Sequence, residues 1–190
     1  SVTGVKYSPM TGLIFVGMPG DNGGVTYYNL DTKDRRSTLF DDGLAAFSIL
    51  EISNDTVIVA EVDRNLGEGL RIFAIYYDAV DGSPEDSIWY DRDIRASLSF
   101  ESGSGRGLHW DSGFAYVAIN QAGLTIAEVV IASNSISITK LGNADTPGGA
   151  RDVALNRAKT HAIVADYQAG ISIIDVTDKS APVYIKSLLP

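Results

Sequence analysis

Four positions of this 190-residue chain sit at one recurring place, directly after a valine and a small residue: Met18, Glu61, Ile119 and Asp166. Two of them carry carboxylates, and Asp21, Asp63, Asn120 and Gln168 lie within a few residues. A hard cation such as calcium needs several oxygen ligands converging on one point. Glu61 and Asp166, joined by Asn120, are therefore the expected nucleus of a metal site. A water bound there would serve a hydrolase as nucleophile. The plainer alternative is that these are solvated loop carboxylates.

Arg106 and Arg151 form a second set, each expected one residue ahead of an alternating apolar strand. Two guanidinium groups so placed could grip a carboxylate or phosphate ligand through paired N–H bonds. Equally, they could pair with the acids just named and pin neighbouring structural units together. A third set lies between Asp78 and Ile94, where Asp78, Asp81, Glu85, Asp86, Asp91 and Asp93 surround Trp89 and Tyr90. Their spacing fits no calcium loop. The two aromatics suit a protein or sugar contact, because rigid rings supply area at low entropic cost.

Other chemistry is thinly represented. Of the two histidines, His109 alternates with Leu108 and Trp110 on an inner strand and His161 is expected near a turn on the far face, so they suggest no paired metal site. No Gly-x-Ser-x-Gly elbow, phosphate loop or HExxH is present. Asp175 and Asp178 read as turn-capping residues. Asn54-Asp55-Thr56 is a glycosylation acceptor on an expected hairpin turn. With no cysteine, disulfides, thiolate nucleophiles and Cys-ligated zinc are excluded. A net charge of −9 without any basic cluster argues against nucleic acid. No apolar run approaches the roughly 18 residues of a membrane-spanning segment.

The elements that position these residues repeat. Val16, Val59, Val117 and Val164 each close a short apolar run, at spacings of 43, 58 and 47 residues. After each comes a glycine opening an alternating strand: Gly24, Gly69, Gly123 and Gly170. Before each lies another, marked by Val5 and Tyr7, Phe47 and Ile49, Leu108 and Trp110, and Val153 and Leu155. Period-two alternation and β-branched residues exclude helical repeats of similar length. A repeat of about 45 residues with four strands is the pattern of a β-propeller blade. The expected fold is an all-β, single-domain propeller of four four-stranded blades, over residues 2–42, 44–102, 103–144 and 145–190. Blade two would have its fourth strand at Ala96–Phe100 and an insertion over 78–94. The alternative is part of a larger ring, or a ring completed by a second chain, since no spare strand is left to latch the termini.

The last blade reads Ala-Asp-Tyr-Gln-Ala-Gly-Ile-Ser-Ile-Ile-Asp-Val-Thr-Asp-Lys-Ser-Ala-Pro-Val from Ala165 to Val183. It resembles the LVIVD-repeat family of β-propellers, whose blade runs Val-Ala-Asp, a Gly-led strand, Ile-Asp-Val, Ser/Thr-Asp and Pro-Val. Thr146-Pro-Gly-Gly-Ala-Arg151 is similar to that family's link into an inner strand. Blade three keeps Ala122-Gly123-Leu124 but has Ala132-Ser133 in place of Asp-Val-Thr-Asp. The resemblance implies the fold and a tendency to be secreted or surface-associated. It brings no shared catalytic residues.

The expected function is thus a non-catalytic interaction protein, extracellular or at the cell surface, recognising a protein or carbohydrate partner. Self-association is a further expectation. The alternative is a calcium-dependent propeller hydrolase or lactonase built on Glu61, Asp166 and Asn120. A purely structural module of a larger surface protein is the third.

Overall fold

A computed structural model describes residues 4–7, 13–18, 24–29, 35–37, 44–53, 56–63, 69–77, 88–100, 103–132 and 135–189. They form four antiparallel sheets of four strands each. The first holds β1 (Gly4–Tyr7), β2 (Leu13–Met18), β3 (Gly24–Asn29) and β4 (Arg35–Ser37). The second holds β5 (Leu44–Ser53), β6 (Thr56–Asp63), β7 (Leu70–Tyr77) and β8 (Ile88–Leu98). The third holds β9 (Gly105–Asp111), β10 (Phe114–Ile119), β11 (Gly123–Ala132) and β12 (Ser135–Ala144). The fourth holds β13 (Asp152–Leu155), β14 (His161–Ala165), β15 (Ile171–Asp175) and β16 (Val183–Leu188). Within each sheet the strands pair in chain order. Consecutive sheets meet in chain order too: β1 and β2 lie against β5, β5 and β6 against β9, and β9 and β10 against β13.

Alternation explains why a sheet can be apolar on both faces. Along β10, Ala115, Val117 and Ile119 bury against Ala60, Val62, Leu70 and Ile72 of the second sheet. The intervening Tyr116 and Ala118, with Leu124 and Ile126, bury against Val153, Ala162, Val164 and Ile174 of the fourth. Successive side chains point to opposite faces, so one strand feeds two interfaces. Fully burying each large side chain contributes about 1.5–3 kcal/mol, and these two interfaces hold the sheets in series.

The inner strands approach closely where one side chain is missing. A Cβ on Gly107 of β9 would lie 2.5 Å from the Asp152 Cα and 2.9 Å from the Arg151 carbonyl oxygen. Only glycine lets the β13 backbone come so near. At the opposite end of these strands Lys159 pairs with Asp111, tying the β13–β14 turn to the β9–β10 turn.

Two details differ from the sequence expectation. The insertion expected over 78–94 is shorter, because β8 begins at Ile88 rather than near Ala96. Alternation is broken there by an irregularity between Phe73 and Ala74 that skips part of the acidic stretch. Asp78, Asp81, Glu85 and Asp86 lie outside the described residues, as do Asn54 and Asp55 of the glycosylation acceptor and Asp21. Arg106 lies inside β9 rather than ahead of it, as the extra residue of a β-bulge opposite Ala118 and Ile119.

Candidate functional site

The most elaborate polar arrangement among the described residues is the turn after β14 with the link that enters β13. Asp166 to Gly170 form a tight 3-10 turn. The Ala169 N–H donates to the Asp166 carbonyl at 2.9 Å, and the Asp166 N–H donates to the Gly170 carbonyl at 2.8 Å. Closing the turn forces Tyr167 to φ +44° and Gly170 to φ +74°. Glycine takes that conformation freely; for a tyrosine it is strained.

The turn sends the Asp166 side chain inward, where it is fully buried. Its Oδ1 accepts a hydrogen bond from Thr146 Oγ1 at 2.8 Å. Its Oδ2 accepts from the Gly148 N–H at 3.1 Å and from Ser172 Oγ at 2.7 Å. Ser172 continues to Ser187 Oγ at 2.9 Å, and Ser187 to the Tyr184 hydroxyl at 2.9 Å. The network therefore crosses the blade from its inner link to its outermost strand. A buried carboxylate persists only when its oxygens are satisfied in this way.

Asn120 grips the same link from blade three. The Ala150 N–H donates to its carbonyl at 3.1 Å, and its own N–H donates to the Ser104 carbonyl at 2.9 Å. Gly149 lies so close that a Cβ there would stand 2.7 Å from Asn120 Oδ1. Arg151 follows; its N–H donates to the Ala165 carbonyl at 2.8 Å. Its guanidinium carbon stands 4.8 Å from the centre of the Tyr167 ring, in cation–π geometry. Tyr167 itself is 63% exposed.

Asn120, Arg151 and Asp166 of the expected set are thus brought together around residues 145–151. Glu61 lies on β6, opposite Phe47 and Arg71, and its side chain is outside the described residues. Trp89 and Tyr90 lie on β8, opposite Tyr76 and Ile75, and their side chains are likewise outside the description. Arg106 is half-buried on β9. Among the described residues no three His, Asp or Glu side chains gather as a metal set. Sequence reasoning missed Tyr167, Thr146 and Ser172. The signal for Tyr167 was available, as an aromatic directly after the repeat's Val-Ala-Asp and before its turn glycine.

The other end of the inner strands holds a looser set. His109 faces Tyr116 edge-on at 6.3 Å between ring centres. Burial lowers the His109 pKa from its ordinary value, aided by Lys6 and Lys159 and opposed by Asp111 and Asp152. Burial raises that of Tyr116, with Asp111 adding to it. The Tyr116 hydroxyl is buried without a hydrogen-bond partner. A cavity of about 90 Å³ lies between blades two and three, lined by Phe100, Ile119, Thr125, Lys140 and Asn143. Asn143 turns its amide inward, donating to the Ala122 and Leu124 carbonyls at 2.8 and 3.0 Å. Asp175 and Asp178 cap turns: each carboxylate accepts a backbone N–H at 2.9 Å, from Thr177 and Ser180 respectively. The Thr177 N–H lowers the Asp175 pKa, and the Ser180 hydroxyl, donating at 2.6 Å, lowers that of Asp178 together with the Ser180 N–H.

Comparison with known proteins agrees with this architecture. The LVIVD repeat model matches residues 103–146 and 147–189, which are blades three and four. Blade three therefore belongs to the repeat despite its Ala132-Ser133. No curated protein sequence matches the chain. Among solved structures, a candidate 6-phosphogluconolactonase of Bacteroides fragilis aligns with 97% of this chain at 12% identity and a TM-score of 0.60. The β-propeller domain of Swd1 from Myceliophteria thermophila aligns with 99% at 12% identity and a TM-score of 0.59. The chain spans 58% and 55% of those two structures. Its four sheets are propeller blades, and the third and fourth of them are LVIVD repeats.

Proposed function

We propose that this chain is a non-catalytic β-propeller interaction module, acting outside the cell or at its surface, that recognises a protein or carbohydrate partner. The observation that carries this reading is the exposed Tyr167, held rigid in a strained turn with the Arg151 guanidinium over its ring. A fixed aromatic beside a cation offers apolar area and several N–H donors with little entropy left to lose. Such pairs dominate many recognition surfaces. Gln168 is exposed beside them and adds an amide.

The lactonase reading draws on the likeness to the Bacteroides fragilis protein and needs Asp166 to turn an oxygen to a cation. Both oxygens are already engaged by Thr146, Gly148 and Ser172. Recognition is therefore favoured over hydrolysis. Glycan and protein arrays probed with the wild type, Arg151→Ala and Tyr167→Asn test the proposal. Asparagine tolerates the left-handed conformation, so it removes the ring without straining the turn further. The expected outcome is a wild-type signal that falls about 30-fold in Tyr167→Asn, the loss of one hot spot of about 2 kcal/mol. Binding that survives both substitutions would remove this face from consideration.

A further inference from the structure

Blades three and four carry different side chains at four matching positions. Strand pairing sets the match: Thr125 lies opposite Asn143 as Ser172 lies opposite Ser187, and Ala127 lies opposite Lys140 as Ile174 lies opposite Tyr184. The repeat likewise equates Ile119 with Asp166. In each blade one residue of the outer strand, Leu141 or Ile185, is passed over by a shift in register. Side chains three residues apart on a strand ordinarily face opposite sides. The bulge instead turns Lys140 and Asn143 to one face of blade three, as it turns Tyr184 and Ser187 to one face of blade four.

In blade four these positions satisfy one another. The buried Asp166 carboxylate accepts from Ser172 Oγ, and the chain runs on through Ser187 to the Tyr184 hydroxyl. Blade three keeps donors in the same places but has Ile119 where the acceptor stands. Thr125 is 2% exposed and accepts from Asn143 Nδ2 at 3.2 Å, yet its own O–H reaches no acceptor among the described residues. Lys140 forms no hydrogen bond or ion pair among them either. The cavity of about 90 Å³ lies at this point, lined by Phe100, Ile119, Ala122, Thr125, Lys140 and Asn143. Its place in blade three corresponds to that of the Asp166 network in blade four.

We infer that this cavity binds a small carboxylate, whose oxygens serve blade three as those of Asp166 serve blade four. The ligand accepts from the Thr125 hydroxyl and from the Lys140 ammonium, a charge-assisted bond. Lysine in place of the neutral Tyr184 supplies the opposite charge that a carboxylate leaving water requires. Phe100, Ile119 and Ala122 suit a short aliphatic stem. With a water occupying about 30 Å³ of liquid, the cavity has room for roughly three waters, or a carboxylate with one or two further carbons. A free short-chain acid and the Asp or Glu side chain of a partner protein both present that group. The site belongs to blades two and three, so it stands or falls separately from the Tyr167 face.

Amide NMR titration of the 190-residue chain with sodium propionate tests this, against sodium chloride and propionamide at equal concentrations. Saturating shifts are expected at Thr125, Lys140 and Asn143 with propionate alone, at a Kd on the order of a millimolar, as befits so few atoms. Thr125→Val and Lys140→Gln are each expected to weaken binding about ten-fold, the loss of one hydrogen bond to a charged group. Ile119→Asp places the Asp166 carboxylate in the cavity and is expected to abolish binding. Should that variant fail to fold, Lys140→Gln, at an exposed residue, still decides. The inference is overturned by the lack of any saturating shift, by propionamide binding as well as propionate, or by an unchanged Kd in Lys140→Gln. A capped glutamate peptide that binds more tightly than propionate assigns the carboxylate to a partner protein; one that binds more weakly assigns it to a free acid.

Discussion

Removing the Asp166 carboxylate isolates the buried side chain that ties the inner link of the fourth blade to its turn and its third strand. Asp166→Ala takes the acceptor from the Thr146 hydroxyl and the Gly148 N–H, while Ser172 keeps Ser187. Each buried donor left without a partner costs about 1–3 kcal/mol, so the expected loss is about 4 kcal/mol. Asp166→Asn keeps one acceptor oxygen but turns an amide N–H toward one of the three donors, and should lose about 1–3 kcal/mol. Urea unfolding followed by tryptophan fluorescence reads this out. With a slope of about 2 kcal/mol per molar, the Ala midpoint should fall by roughly 2 M at unchanged slope. A fall under about 0.5 M would show that the carboxylate is not an internal tie. The same titration in calcium and in chelator gives a second reading. If calcium raises the wild-type midpoint and Glu61→Gln or Asp166→Asn abolishes the rise, the carboxylates serve a cation instead.

Three further outcomes follow from single residues. Tyr116→Phe deletes a buried hydroxyl that has no partner, and should raise stability by about 1 kcal/mol in the same urea assay. Gly107→Ala places a methyl against the backbone of Asp152 and Arg151, so overpacking of about 1–3 kcal/mol should appear as a lower midpoint and faster amide exchange at the junction of blades three and four. His109 has a lowered pKa in the folded chain, chiefly through burial, so the unfolded chain binds its proton more readily. Its contribution is complete above the ordinary value of 6.5 and is lost as pH falls below it. Melting curves between pH 8 and pH 5, on the order of the range where His titrates, should flatten in His109→Gln.

Much of the fold was legible because alternation and turn glycines are local properties. Val16, Val59, Val117 and Val164, each with its following glycine, mark the second and third strands of every sheet. The blade-four repeat is regular enough to read directly, whereas blade three, which drifts at Ala132-Ser133, is shown as a repeat by the family match over residues 103–146. The start of β8 was not legible, because the acidic composition around Asp91 and Asp93 resembles a loop. Pairing with β7 from Ile75 to Tyr77 holds that segment extended regardless. Cross-strand neighbours outweigh intrinsic preference in a sheet.

For the site, the sequence alone determined which residues share a register: the equivalence of Ile119 and Asp166, and of Asn120 and Tyr167, follows from the repeat. It placed Asn120, Arg151 and Asp166 near one another. Only the tertiary structure decided their roles. Whether a carboxylate at the end of β14 faces solvent or the interior depends on the direction in which the turn leaves the strand. The 3-10 turn closed by Gly170 sends Asp166 inward to Thr146, Gly148 and Ser172, and leaves Tyr167 outward under Arg151. Burial is a property of packed sheets, and no spacing in the chain records it.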